Sequence, residues 1–348
     1  MNKQLKKYNK NINVSPKRKY YYGLSILKVL LAFDVINGHC FNKKSTSNKI
    51  ILYLLNSNKL HVPSFIIMSF YFTHETLISQ DFNKINNRLE RLLIPYIGWP
   101  IILFSTYNFI HFLGIEYYSF PFKKLIHQII LGNAWTIPFH FWFLFDLIIT
   151  NILFLFIILI KRNYLFTFII ILIFCYFLQY SQLNYQYMNL HEPSLSKEIE
   201  FIPFAITGFI IFELNIIKIL KRYKIQTFII SLLLYKLILK YEVFSNFKGF
   251  AFHGLKFNIC SICLIIIFSL FSSEENYNKY LKLFKTITSF TGGIYYIHRI
   301  IEKNFKNFFV EIKKGSLVGL ITIYLISYMI CFIGTFFFNK TRLKYLFI

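Results

Sequence analysis

From Leu317 to Phe338 the chain carries no charged side chain at all, and from Phe143 to Ile160 it carries one, Asp146. A helix of about 20 apolar residues crosses a bilayer. A backbone in lipid must also satisfy its own hydrogen bonds, which leaves helices or closed barrels. Runs of this length read as helices. The rest of the 348 residues agrees: 56% are hydrophobic and 16% charged, against about 45–50% and about 25% in soluble domains. So much apolar surface excludes a disordered basic tail protein. Five cysteines, an odd number scattered through so long and apolar a chain, exclude a disulfide-built secreted domain.

The expected fold is all-α, a polytopic membrane bundle of about ten transmembrane helices. The candidate spans are residues 21–41, 60–78, 92–113, 139–160, 164–181, 200–218, 225–241, 251–271, 286–302 and 316–338. Lys236 weakens the seventh. The stretch Phe122–Ile137 is amphipathic and fits an interfacial or re-entrant piece packed under the helices. No cleavable signal peptide precedes the first span. With neither internal repeat nor Pro/Gly/Ser linker, residues 20–340 read as one transmembrane domain. A basic cytosolic tail, residues 1–19, precedes it, and a short cytosolic tail, residues 341–348, follows.

The charge is +24, from 39 Lys and Arg against 15 Asp and Glu. Richness in Lys, Asn, Ile, Tyr and Phe accounts for part of it as compositional bias. The basic residues fall in small clusters between apolar runs. That is the pattern of loops and not of the basic stripe a nucleic-acid partner needs. With the N-terminus inside, roughly 22 basic residues face the cytosol and roughly 13 face out, as the positive-inside rule requires. The low-charge loop Ser181–Glu198 then lies outside. Both termini lie in the cytoplasm, and the expected location is the cell (inner) membrane.

Ionisable groups within spans mark function, because each must face protein or water. The first helix holds Lys28, Asp34 and His39. Lys28 and His39 are eleven residues apart, which returns them to one strip about 16 Å apart along the axis. Asp34 points roughly 120° away. Two readings stand for this strip: a lined site, or Lys28 snorkelling inward with His39 capping the outer end. Arg88 and Arg91 share a helical face at the cytosolic mouth. Two planar guanidiniums there suit phosphate oxygens, although anchoring alone also places Arg at such a mouth. Ser69, Trp142 and His298 are supporting polar candidates. Trp142 reads first as an interface anchor, and His298 with Arg299 and Glu302 reads as a buried ion pair. Lys236 and Lys256 have no evident partner. No metal site is expected.

Taken in order, these segments resemble the acyltransferase-3 family of integral membrane acyltransferases, which modify surface polysaccharides and related acceptors. The likeness runs from about Tyr20 to Phe338. It rests on Leu24-Ser25-Ile26-Leu27-Lys28 followed at the family's spacing by His39, and on Pro63-Ser64-Phe65 leading to Ser69. It continues with Arg88 and Arg91 before Pro95-Tyr96, Trp142-Phe143-Leu144, the segment Phe201–Gly208, and Gly293-Ile294-Tyr295-Tyr296-Ile297-His298. Three positions depart from the pattern: Ser25 where Asp is usual, Lys28 where Arg is common, and Phe70 where Gly is usual.

The resemblance implies His39 as the catalytic histidine, either a general base on the acceptor hydroxyl or the carrier of a covalent acyl group. It also implies acyl-CoA, acetyl-CoA in particular, as a donor substrate held by Lys28, Arg88 and Arg91, with no bound cofactor. The acceptor would be a hydroxyl of a surface or lipid-linked glycan, with Ser69 a candidate oxyanion donor and Trp142 and His298 in support. The partners are then the donor, the saccharide and the bilayer. Three alternatives stand beside it: a glycan or lipid transporter using the same intramembrane His, Lys and Asp, a polysaccharide polymerase, also multi-span and aromatic, and a structural membrane anchor, which would not need His39 within a helix. Lack of a repeat counts against the first, and the short Ser181–Glu198 loop counts against the second.

Overall fold

The computed structural model describes residues 21–40, 60–114, 120–131, 142–161, 163–180, 194–240, 254–270, 285–305 and 317–348. The basic tail 1–19 and most of the Ser181–Glu198 loop lie outside these. Among the described residues every regular element is helical: α1 (Tyr22–Cys40), α2 (His61–Ile78), α3 (Phe82–Phe112), α4 (Phe122–Leu131), α5 (Trp142–Ile160), α6 (Tyr164–Tyr180), α7 (Ser194–Glu213), α8 (Ile216–Leu220), α9 (Lys224–Lys240), α10 (Gly254–Leu270), α11 (Thr291–Phe305) and α12 (Leu317–Phe338). A 3₁₀ turn, Arg342–Leu346, follows.

Each of the ten expected spans is occupied by helix. Among the described residues, three helices are long and apolar enough to cross a membrane on their own: Phe82–Phe109, Phe143–Ile160 and Val318–Phe338. A fourth forms only if the bent pair Phe201–Glu213 and Ile216–Leu239 counts as one span. That pair covers the sixth and seventh expected spans, joined at 58°. The cause is local. Asn215 sits at φ 52°, a left-handed conformation that Asn tolerates better than most residues, and the helix cannot run through it.

The other helix boundaries have equally local causes. The Asp81 side chain accepts from the backbone N–H of Asn83 at 3.1 Å and of Lys84 at 3.3 Å, which caps α3. These bonds and the Lys84 ammonium hold the Asp81 carboxyl below the usual carboxylate range. α3 begins ten residues before the span expected at residue 92, because this cap and the polar turn after it extend the helix past its apolar part. α4 takes in the described part of the amphipathic stretch, and residues 132–137 lie outside the described residues. It packs on α3 through buried Leu125 and through the Tyr96 hydroxyl, which donates to the Ile129 carbonyl at 2.7 Å. Phe122, Ile126 and Ile130 stay exposed.

The core lies where α1, α2, α7, α10 and α11 meet. α2 and α7 form the most extensive pairing, and Gly208 makes it possible. A Cβ there would stand 2.1 Å from the Ile67 carbonyl oxygen, so the two backbones touch as small-residue interfaces in membranes do. Around the outside, Phe156, Phe166, Ile173, Phe177, Ile230, Leu233, Phe336 and Phe337 are exposed. An apolar outer surface of this kind belongs against lipid.

The last residues do not trail away. Leu346 is buried against Gly98, and its carbonyl accepts from the Trp99 indole at 2.9 Å. Phe347 lies over Gly293 and Gly334, where a Cβ would meet it at 2.3 Å and 2.5 Å. Its ring also stacks on Phe338. The short tail expected at 341–348 is therefore seated on α3, α11 and α12.

Candidate functional site

α1 is helical without a break from Tyr22 to Cys40, so the Lys28–His39 spacing seen in the sequence is a spacing in space. His39 stands in its last turn, but its side chain lies outside the described residues. Lys28 is half-buried, with its ammonium 4.9 Å from the centre of the Phe72 ring. That is a cation–π contact from α1 to α2.

α3 brings Arg88 to the same place. Lys28 and Arg88 lie close enough for their charges to repel. Arg88 feels Arg91 in the same way, and the Tyr296 ring of α11 stands beside it. The three expected donor residues thus come together at one end of the bundle. A guanidinium cannot shed its proton, so this concentration of positive charge calls for an anion.

The Ser69 hydroxyl accepts a hydrogen bond from Arg88 Nη2, which braces the guanidinium and leaves the serine O–H able to donate. Arg88 Nε is buried without a protein partner, which leaves a directed N–H for a ligand. A small cleft runs past it between α2, α3 and α5, lined by Thr73, Thr76, Arg88 and Asn151 among others. Asn151 Oδ1 is also buried without a partner.

The remaining expected residues do not all join. Trp142 opens α5, and its side chain lies outside the described residues, as do those of Arg299 and Glu302. His298 is buried on α11, and its Nδ1 lies 3.2 Å from the Ile294 carbonyl one turn back. Lys256 is buried on α10. Among the described residues, no group of three His, Cys, Asp or Glu side chains could hold a metal ion.

Two buried histidine–carboxylate pairs escaped the sequence reading. His61 Nδ1 meets Asp34 Oδ2 at 2.8 Å, tying the start of α2 to α1. His74 Nε2 bonds Glu213 at the far end of α2. Glu213 also accepts from the Tyr164 hydroxyl at 2.9 Å. The partners are 27, 139 and 49 residues apart, and no local pattern joins them. A third missed residue is Tyr345, whose ring centre lies 5.5 Å from the Arg91 guanidinium carbon.

Comparison with curated proteins and with solved structures returned no significant match. The acyltransferase domain family model, by contrast, matches residues 21–340. That range takes in every helix from α1 to α12 and each cation of the cluster. The unbroken α1 carrying Lys28 and His39, the paired arginines of α3 and the apolar helices around them are parts of one matched domain. The chain belongs to the acyltransferase family and is a membrane acyltransferase.

Proposed function

We propose that the protein moves an acyl group, acetyl in particular, from acyl-CoA to a hydroxyl of a surface or lipid-linked glycan. The observation that carries this reading is the meeting of Lys28, Arg88 and Arg91 at one end of the bundle, with His39 further along the Lys28 helix. Phosphates of the donor sit on the cations, where charge-assisted bonds are strong. The guanidinium fork of Arg88, braced by Ser69, supplies the directed contact. The thioester arm then leads inward along α1. By the positive-inside rule the cationic end faces the cytosol, where acyl-CoA is, and both chain termini lie there too. The membrane is the inner, or cell, membrane.

His39 acts as general base. A neutral imidazole nitrogen takes the proton from the acceptor hydroxyl as its oxygen bonds to the thioester carbon. The tetrahedral oxyanion collapses, the carbon–sulfur bond breaks, and the coenzyme A thiolate leaves and recovers the proton from the imidazolium. Trp142 and His298 take supporting places along the acceptor path.

Mass spectrometry of surface glycan from cells with and without the gene tests this. The expected result is that saccharides carrying one acyl group disappear from the deletion strain and return when the gene is restored. An identical acylation pattern in both strains would refute the acceptor class.

A further inference from the structure

Residues 342–348 lie along the stretch of α3 that carries the arginine pair. Arg342 bonds Glu90, Leu346 is held by Trp99, and between them Tyr345 sits beside Arg91. Two cations lie over the Tyr345 ring. The Arg91 guanidinium carbon and the Lys344 ammonium each lie 5.5 Å from its centre. Tyr345 and Lys344 are half-buried, whereas Arg91 and Arg342 are exposed. The seat is built, because Gly98, Gly293 and Gly334 all lack room for a side chain where the tail enters. The result is a half-buried aromatic ring with two cations over it, next to Arg91 of the line Lys28–Arg88–Arg91.

We propose that Tyr345, with Arg91 and Lys344, is the nucleotide end of the donor site: a purine base displaces the cations from the Tyr345 ring and stacks there, and its ribose phosphate takes up Lys344 and Arg91. An aromatic ring offers a base a stacking face whatever its hydrogen-bonding edge, and the two cations supply the charge a nucleotide phosphate needs. The order of groups along α3 matches the ligand. Base and ribose phosphate lie at the tail, the pyrophosphate at Arg91 and Arg88, and the thioester arm past Lys28. This assignment rests on the reading that the donor is acyl-CoA. It adds a wall to the site that the paired arginines alone do not supply.

The test compares two donors in membranes containing the full chain: acetyl-CoA, and S-acetyl-pantetheine, which lacks the nucleotide. Tyr345→Ala is expected to raise KM for acetyl-CoA about tenfold and to leave kcat and the pantetheine KM unchanged. Tyr345→Phe keeps the ring and behaves as wild type. Adenosine 3′,5′-bisphosphate inhibits the wild type and does so more weakly in Tyr345→Ala. Should Tyr345→Ala not accumulate, Lys344→Ala reads the same split between donors. If the wild type uses both thioesters and the variants move both equally, or neither, the tail is a structural clasp and this assignment alone falls. If the wild type uses neither, the acyl-CoA reading falls with it.

Discussion

His39→Ala accumulates in the membrane like the wild type and loses acyl transfer by about 10²–10⁴-fold, the usual contribution of a positioned base. Coenzyme A affinity stays unchanged in the same variant. The two outcomes separate because Lys28, where the cations gather, and the histidine lie at different heights on α1, about 16 Å apart. Removing the imidazole takes away the acceptor of the hydroxyl proton and touches nothing that holds phosphate. Transfer rate and equilibrium binding, measured on the same preparation, check both halves. A fully active His39→Ala enzyme would take His39 out of the chemistry and turn attention to His61 of α2, which Asp34 of the His39 helix meets at 2.8 Å.

Arg88→Ala weakens donor binding about 10- to 100-fold with a much smaller change in kcat. Its guanidinium is the one cation of the cluster held by a side-chain bond to α2 while keeping a buried N–H for a ligand. A hydrogen bond to a charged group is worth about 1.5–3 kcal/mol, which sets that range. Arg88→Lys recovers part of the loss, because the charge remains and the fork does not. Ser69→Ala reproduces a fraction of it by leaving the guanidinium unbraced. Titration of coenzyme A against the three variants measures the series. Unaltered affinity in Arg88→Ala would remove the donor from this end of the bundle.

The helices were legible because each is an apolar run with polar residues at its ends. α2, α5, α6, α9, α10 and α12 begin and end within about three residues of where hydropathy places them. The α7–α8 bend was not legible, because one residue, Asn215, turns the chain inside an otherwise continuous apolar and basic pattern. The cationic cluster was legible in part. Helical periodicity put Lys28 and His39 on one strip and Arg88 and Arg91 on one face. It could not say that the two faces meet, nor that Ser69 would face Arg88. Periodicity assigns a face and leaves the partner open, and so Asp34–His61, His74–Glu213–Tyr164 and Arg91–Tyr345 all went unseen. The tail left a weak trace in the sequence: Gly98, Gly292, Gly293 and Gly334 are small residues on helix faces, and three of them take its side chain or backbone at Leu346 and Phe347.

The central claim is that this bundle carries an acyl group from a thioester to a saccharide by way of His39. The most direct measurement follows label from radioactive acetyl-CoA into the glycan fraction of native membranes containing wild-type protein, His39→Ala, or neither. Label entering glycan with the wild type only is the expected result. Equal labelling in all three, or none with the wild type when acceptor is present, would contradict it.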